Sequence, residues 1–281
     1  MNAIEMKHVT KRFGSFSLED ISLSLPSGCI MGLIGENGAG KSTTIRLLMN
    51  AIKRDKGEIK VLGQENSRKE FINTKEDIGI VLDESYFPEV LNANRVNQIM
   101  KYTYKNWQED LFYSYIRRFS LPEKKRFKEY SKGMKMKLAI AAALSHQPKL
   151  LILDEATSGL DPVVRDEIIE LFNDFTRKED HSVLISSHII SDLEKISDYI
   201  AYLHRGKLLF CGEKDRLLEE YGILHVSGAE LQNVPKEAIL VKKEGKYATE
   251  LFVRRGNLSG AFDVEPVGIE DIMLFFAKKE G

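Results

Sequence analysis

The chain has little of what would mark a secreted or membrane-spanning protein. Among 281 residues it has two cysteines, Cys29 and Cys211, which form no metal or redox motif. We read them as small core residues in a reducing compartment. The longest apolar runs, such as residues 138–144, fall far short of the roughly 18 residues that a membrane span requires. The net charge of −1 gives no general attraction to nucleic acid.

The N-terminal residues 1–7 lack the apolar region of a secretion signal. A hydrophobic content of 43% and a charged content of 30% allow a sizeable core under a well-solvated surface. We therefore expect a soluble, cytoplasmic protein. Any role at a membrane would then come through a partner.

A glycine-rich loop is the strongest motif in the chain. An apolar run at 30–34 predicts a buried strand before it, and 44–49 predicts a helix after it. The loop matches the phosphate-binding pattern G-x-x-x-x-G-K-[ST], in which backbone N–H groups converge on an anion at a helix N-terminus. Its residues are Gly35, Glu36, Asn37, Gly38, Ala39, Gly40, Lys41, Ser42 and Thr43. We expect Lys41 to reach the β- and γ-phosphates of a nucleotide and Ser42 to bind Mg²⁺.

Two predicted buried strands end in paired carboxylates. Residues 150–153 lead into Asp154 and Glu155, and residues 78–82 lead into Asp83 and Glu84. In a phosphate-loop protein the first acid can hold Mg²⁺, and the next can act as general base towards water. A solvated strand end is the alternative for Asp83.

Three further residues have local signals that leave their roles open. His188 follows the predicted strand 182–185, where it could contact a γ-phosphate or be structural. Ser131 is well placed to cap the helix predicted at 135–145, and that helix start could also bind an anion. Phe13, which we place between two strands, could stack on a base or fill the core.

The rest of the sequence predicts a helical region and a separate C-terminal part. Residues 92–120 have a helical pattern with interleaved aromatic residues, which is typical of a subdomain core, although exposed members could form a partner surface. Four cations within 124–128 are most simply a solvated face. From about Gly222 the sequence pattern predicts short strands and a closing helix, which we interpret as a small α+β appendage.

Taken in order over about the first 220 residues, these motifs resemble the ATP-binding subunit of an ABC transporter. The resemblance implies an α/β fold: a RecA-like phosphate-loop NTPase core with an antiparallel β subdomain and a helical subdomain at about 86–147. It divides the chain into an ATP-binding domain, 1–221, and an accessory domain, 222–281. It makes Glu155 the catalytic base, His188 the switch histidine and Phe13 the adenine-stacking aromatic. ATP and Mg²⁺ are the implied cofactors.

The resemblance also implies partners. Residues 130–134 stand where the family carries its signature, so Ser131 and Gly133, which have no evident use within one protomer, would cap the γ-phosphate held by a second copy. The helical region would grip a transmembrane permease at the cytoplasmic face of the cell membrane. Aromatics near Tyr86 and Phe87 would contribute to that contact. No nucleic-acid partner is expected.

The chain departs from the family pattern at two places. The signature is usually Leu-Ser-Gly-Gly-Gln, whereas this chain has Tyr-Ser-Lys-Gly-Met. The variant resembles ABC-2-type exporters of drugs, bacteriocins and amphipathic peptides, including phenol-soluble modulins, and Lys132 would add charge near the phosphates. Asp83 stands where the family usually has Gln, and we hypothesise that it is a metal or water ligand that senses the permease.

Two other functions remain open. A soluble ABC-type ATPase acting on nucleic acid or ribosomes would carry coiled-coil insertions, tandem domains or basic extensions, and none is evident. A non-catalytic nucleotide-regulated module would not need Lys41, Asp154, Glu155 and His188 together. Kinases and GTPases lack the Ser-x-Gly signature and the switch histidine in this order.

Overall fold

The computed structural model describes residues 1–83, 87–245, 248–259 and 262–280. The chain forms two compact units, residues 1–208 and 209–281. This division precedes the expected domain boundary between residues 221 and 222, which stays a prediction.

The helices and strands follow in chain order. The first unit contains β1 (Asn2–Phe13), β2 (Phe16–Pro26), β3 (Ile30–Ile34), α1 (Lys41–Leu48), β4 (Lys56–Val61), β5 (Gln64–Glu65), α2 (Phe71–Thr74), β6 (Ile78–Val81), α3 (Ala93–Thr103), α4 (Glu109–Arg118), α5 (Lys132–Leu144), β7 (Leu150–Asp154), α6 (Pro162–Phe175), β8 (Ser182–Ser187), α7 (Ile190–Ile196) and β9 (Tyr199–His204). Strand β10 (Lys207–Glu213) crosses the division, and α8 (Lys214–Glu220), β11 (Tyr221–Val226), β12 (Ile239–Glu244), β13 (Thr249–Arg254), β14 (Val264–Glu265) and α9 (Ile269–Glu280) follow it.

An antiparallel sheet in the order β2-β1-β4-β5 opens the first unit. Apolar side chains alternate along β2 and are buried on one face, as expected for a half-buried strand. Strand β1 is longer than the sequence predicted, because Lys11, Arg12 and Phe13 pair with β2. The placement of Phe13 between two strands was therefore wrong.

A parallel sheet positions the candidate site. Five strands lie in the order β9-β3-β8-β7-β6 and run parallel to their neighbours. Every residue of β3, β7 and β8 is buried, which explains their continuous apolar runs. Because parallel strands end at one edge, the segments after β3, β6, β7 and β8 meet there.

The residues predicted as helical over 92–120 form two helices, α3 and α4, and α5 completes the helical region. Phe112 and Phe119 are buried, whereas Tyr102 is almost fully exposed. Helix α4 carries acids in its first turn and arginines in its last, which complements its dipole. Part of the aromatic stripe thus forms core, as the sequence suggested, and part faces solvent.

The second unit is built on an antiparallel sheet in the order β12-β13-β11-β14. Buried residues of β11 and β13 form its apolar cluster, and the ring of Phe252 stacks on Phe275 at 4.2 Å. The sequence predicted its α+β character but missed β11.

Two further expectations can be compared with the structure. Both cysteines are half-buried, so their interpretation as core residues was wrong. None of the helices in the described ranges is both long enough and apolar enough to cross a membrane.

Candidate functional site

The phosphate loop connects β3 to α1 at the carboxyl edge of the parallel sheet. Gly40 caps the N-terminus of α1 with a φ of 114°, in the left-handed region. A β-carbon at this position would lie 2.4 Å from Cδ2 of Leu18, so another residue would strain the backbone and also displace that side chain. Thr44 donates its hydroxyl hydrogen bond to the Gly40 carbonyl at 3.0 Å. The sheet and the helix therefore hold the loop from both sides.

The C-terminus of α1 is held by a side chain from another segment. Asn66, which is fully buried, donates from Nδ2 to the carbonyls of Leu47 and Leu48 at 2.7 and 3.0 Å. Arg54 donates to the Asn66 Oδ1 at 2.8 Å. The amide thereby satisfies the Leu48 carbonyl at the helix end and adds to the hydrogen bond that the Leu47 carbonyl accepts from the Asn50 amide at 3.0 Å.

Lys41 points back across the loop. Its side chain is 6% exposed, and Nζ donates to the Gly35 carbonyl at 2.7 Å. Nζ also lies 3.3 Å from Oε1 of Glu155. This contact is an ion pair without hydrogen-bond geometry, since Oε1 is buried and has no hydrogen-bond partner among the described residues. The loop and the acid after β7 thus meet through one cation.

Asp154 and Glu155 are both buried at the end of β7. Glu155 has a φ of 53°, a left-handed conformation that is uncommon for a residue other than glycine, asparagine or aspartate. The chain therefore turns sharply between the two acids. Asp154 remains in the strand, and Glu155 reaches both Lys41 and His188.

Ser186 holds the two acids in place, and the sequence analysis missed it. Its hydroxyl donates to Oδ1 of Asp154 at 2.5 Å and accepts from the Glu155 amide at 3.2 Å. The pairing of β7 with β8 places Asp154 directly opposite Ser186. The available signal was a hydroxyl two residues before His188 on a predicted core strand.

His188 approaches Glu155 from the end of β8. Its Nδ1 lies 2.6 Å from Oε2 of Glu155 and donates to that carboxylate. About half of the histidine side chain is exposed, so it joins the buried acid to the surface.

The oxygen donors predicted for a metal lie at the start of α1 and at the ends of the neighbouring strands β6 and β7. Ser42 is exposed in the first turn of α1, and the Asp154 carboxylate ends β7. Asp83 is exposed after β6, whose Val81 pairs with Leu153, so Asp83 follows the strand beside Asp154. Hydroxyl and carboxylate oxygens are the ligands that Mg²⁺ prefers, so the donor set fits this ion. No cluster of three or more His, Cys, Asp or Glu suited to a metal occurs in the described ranges.

The start of α5 lies on the surface. Ser131 is exposed, and its hydroxyl caps the helix by accepting from the Met134 amide at 3.2 Å. The expectation that Ser131 has no use within one protomer was therefore wrong. A β-carbon on Gly133 would lie no closer than 3.7 Å to Leu160, so the fold alone does not require glycine there.

Lys132 lies against the loop after β7. A β-carbon built on Gly159 would be 2.9 Å from Nζ of Lys132, and Gly159 has a φ of 68°. The lysine side chain thus lies beside this loop of its own chain.

The aromatic candidates are less closely tied to the phosphate loop. Phe13 is 40% exposed, so the interpretation that it fills the core was wrong; Lys11 Nζ lies 5.3 Å from its ring centroid. Tyr86 and Glu84 lie outside the described residues. Phe87 is half-buried and packs edge-on against Phe127. Across the described ranges, no hydrogen bond or ion pair joins Phe13, Ser131 or Gly133 to the phosphate loop.

Comparison with known proteins gives consistent results. The family model described as ABC transporter matches residues 18–158. The bacitracin transport ATP-binding protein BcrA of Bacillus licheniformis is 36% identical over 213 residues, which cover 73% of this chain and 68% of BcrA. The lantibiotic transport ATP-binding protein SrtF of Streptococcus pyogenes is 33% identical over 215 residues, covering 75% of this chain and 91% of SrtF.

The fold agrees with a solved structure of the same class. The structure of an ATP-binding subunit of an ABC transporter superimposes with a TM-score of 0.70 at 26% identity, covering 76% of this chain and 91% of that one. The similarity confirms a phosphate-loop NTPase fold of the RecA-like type.

Proposed function

This chain belongs to the ATP-binding proteins of ABC transporters, and from that premise we propose that it drives the export of amphipathic peptides, antimicrobial peptides or drugs through a membrane permease. The observation that carries the proposal is the network of Lys41, Glu155 and His188 at the carboxyl edge of the sheet. These residues connect a nucleotide-binding loop with a group that can accept a proton from water.

The residues divide the work of ATP hydrolysis. Backbone N–H groups of Gly38, Gly40 and their neighbours, together with Lys41, bind the phosphates. Ser42 and Asp154 would hold Mg²⁺, which neutralises charge on the phosphate oxygens when bound. Glu155 accepts the proton of the attacking water, and His188 orients the Glu155 carboxylate. Ser186 fixes the positions of Asp154 and Glu155 through its two hydrogen bonds.

The proposal includes a second copy of the chain. The start of α5 offers an exposed helix N-terminus, which favours binding of an anion. Ser131 and Gly133 of one copy would cap the γ-phosphate bound to Gly35–Thr43 of the other. Glu155 and Lys41 lie in the same protomer. Dimerisation would therefore add the residues that cap the γ-phosphate, whereas the catalytic base is already present in each copy.

The permease contact would lie on the helical region. Phe87, Met100 and Tyr104 line a mainly apolar cleft of about 180 Å³. An apolar cleft beside an exposed strand end suits a short helix from a membrane partner. Asp83 is placed at that strand end, which supports the hypothesis that it responds to the permease. The protein would then work at the cytoplasmic face of the membrane.

The substrate class rests on relatives and on the signature variant. BcrA and SrtF are named for transport of bacitracin and lantibiotics, and the Tyr-Ser-Lys-Gly-Met sequence suits the same exporter branch. The second unit would serve as an accessory domain.

The test is to purify the full chain with the candidate permease encoded beside it and to measure ATPase activity with and without amphipathic peptides. We expect co-purification and an activity that rises with peptide. Phe87→Glu should weaken co-purification without changing ATP binding, whereas Ile72→Glu, at an exposed site on α2 outside the helical region, is the matched control. ATPase activity indifferent to every permease and peptide would contradict the export proposal.

A further inference from the structure

A second cleft lies away from the phosphate loop, between α4 and α6. Its volume is about 360 Å³, which lies within the usual range of small-molecule pockets. The connection from α5 to β7 closes one end, with Gln147 and Pro148 in its lining. None of its lining residues takes part in the ATP site described above.

Apolar side chains form the walls. Leu111, Tyr115 and Arg118 are spaced i, i+4, i+7 along α4, so they share one helix face. Leu171 and Phe175 face them from α6. Burial raises the pKa of the Tyr115 hydroxyl, so this ring stays neutral at physiological pH. The cleft thus offers an apolar slot whose lining includes one neutral phenol.

Positive charge lies at the rim. Arg118 and Lys178 line the cleft, and neither forms an ion pair with any residue in the described ranges. The Asp174 carboxylate also lines it but is already paired with Arg177 at 3.1 Å. The two cations therefore remain available to an acidic ligand.

His181 adds a directional group. Its Nδ1 lies 2.8 Å from Oδ1 of Asp180, and this hydrogen bond lowers the pKa of Asp180. Because an ionised carboxylate only accepts, Nδ1 carries the hydrogen and Nε2 is left for another partner. The side chain is only 12% exposed and its ring packs at 4.8 Å from Phe175, so its orientation is held.

We propose that this cleft binds a small amphiphilic acid, with its apolar body between α4 and α6 and its acidic group at Arg118 and Lys178. Apolar walls with a few polar groups on one side are typical of such sites. Helix α4 belongs to the helical region that is proposed to meet the permease. An acid bound in the cleft would therefore contact a helix of that region.

The first test uses anilinonaphthalene sulfonate, which combines an aromatic body with one acidic group. The full chain is titrated with it by fluorescence in the presence of saturating Mg·ATP, which keeps the probe out of the nucleotide site. We expect one bound probe per chain and at least about fivefold weaker binding in the double variant Arg118→Gln/Lys178→Gln. The matched control Arg117→Gln removes a neighbouring cation of α4 that does not line the cleft.

A second pair of ligands separates charge from apolarity. Decanoate should displace the probe at a lower concentration than decanol, and Leu111→Trp should block both by filling the slot. Equal displacement by the two ligands, or unchanged probe binding in the double variant or in Leu111→Trp, would overturn the proposal. Thermal unfolding of each variant verifies that the fold is retained.

The acid could be dissolved or be part of a membrane lipid. Sedimentation with phosphatidylglycerol vesicles distinguishes these sources: binding that the double variant weakens indicates a lipid, and decanoate binding without vesicle binding indicates a soluble acid. Because the readout is ligand binding, it stays informative even if the export proposal fails.

Discussion

The phosphate-loop edge and the start of α5 are built in opposite ways, although both are proposed to touch the same nucleotide. Lys41, Asp154 and Glu155 are buried and joined to one another through Ser186 or direct contact. Ser131 and Lys132 are exposed, and among the described residues the Ser131 hydroxyl bonds within its own helix turn. One region is a buried, connected network, and the other is an exposed surface.

This difference shows where each chemical task can reside. A general base must be held within hydrogen-bond reach of its water, so it belongs in a rigid, buried network. A group supplied to a second copy must be accessible, so it belongs on an exposed helix start. Substitutions in the two regions should therefore lower ATPase activity for different reasons.

The largest effect is expected from Glu155→Gln in the buried region. The amide cannot accept the proton of the attacking water, so steady-state hydrolysis should fall by about 10²–10⁴-fold while ATP still binds. Size-exclusion chromatography with ATP should show accumulated dimers. Glu170→Gln, on the exposed face of α6, is the control and should behave as wild type. Undiminished turnover would remove Glu155 as the base.

Gly133→Ala tests the exposed region. The new methyl has room within its own chain, and alanine favours a helix, so the variant should be as stable as wild type or up to about 1 kcal/mol more stable. If this face caps a phosphate on a second copy, ATPase activity should fall by about tenfold or more. Gly228→Ala, where a β-carbon meets nothing within 4 Å, is the matched control. Full activity in Gly133→Ala would contradict the role of α5 in a dimer.

Ser186→Ala asks whether the buried network depends on its serine. Loss of the hydroxyl leaves Oδ1 of Asp154 without its donor, which we expect to lower ATPase activity by about tenfold. Ser187→Ala is a close control because the Ser187 hydroxyl accepts from the Ile189 amide and, among the described residues, forms no hydrogen bond with either acid. Equal losses in the two variants would show that Ser186 has no special part in orienting the acids.

The smallest effect is expected from lowering the pH, through one buried histidine beside α5. His146, just after α5, is buried, stacks on Tyr104 at 4.0 Å and donates from Nδ1 to the Glu76 carbonyl. Burial lowers its pKa from 6.5, so the unfolded chain binds a proton more readily. Stability should thus be full above about pH 6.5 and fall as pH drops towards the folded-state pKa, by at most about 1.4 kcal/mol per pH unit.

Urea unfolding between pH 5 and 8 (about the range where histidine titrates) measures this slope. His146→Phe keeps the aromatic stack but cannot titrate, so its unfolding free energy should depend less on pH. The same slope in the wild type and in this variant would rule out His146 as the source.

Much of the site could be predicted because its backbone geometry has a sequence signature. Gly40 is needed where the loop turns into α1, and an apolar strand ending in Asp154 and Glu155 marks the carboxyl edge. Ser186 could not be predicted in this way, because its role depends on the register between β7 and β8. The left-handed backbone of Glu155 likewise has no local signal.

Two other differences arise from tertiary contacts. Phe13 was misplaced because its strand continues only through pairing with β2, which a local pattern does not reveal. Ser131 was thought to lack a use in one protomer, although its N-cap signal was recognised. The roles of Asp83, Phe13 and Gly133 at the nucleotide remain predictions.

The amide of Asn66 also sets an order of events during synthesis. The Leu48 carbonyl at the end of α1 finds its partner in Asn66, which is made 18 positions later, and Asn66 adds a second hydrogen bond to the Leu47 carbonyl. A nascent chain that has released only the phosphate loop and α1 therefore lacks the group that completes the helix. Nucleotide-binding competence should consequently appear on the ribosome only after the segment carrying Asn66, and not merely the motif itself, has emerged.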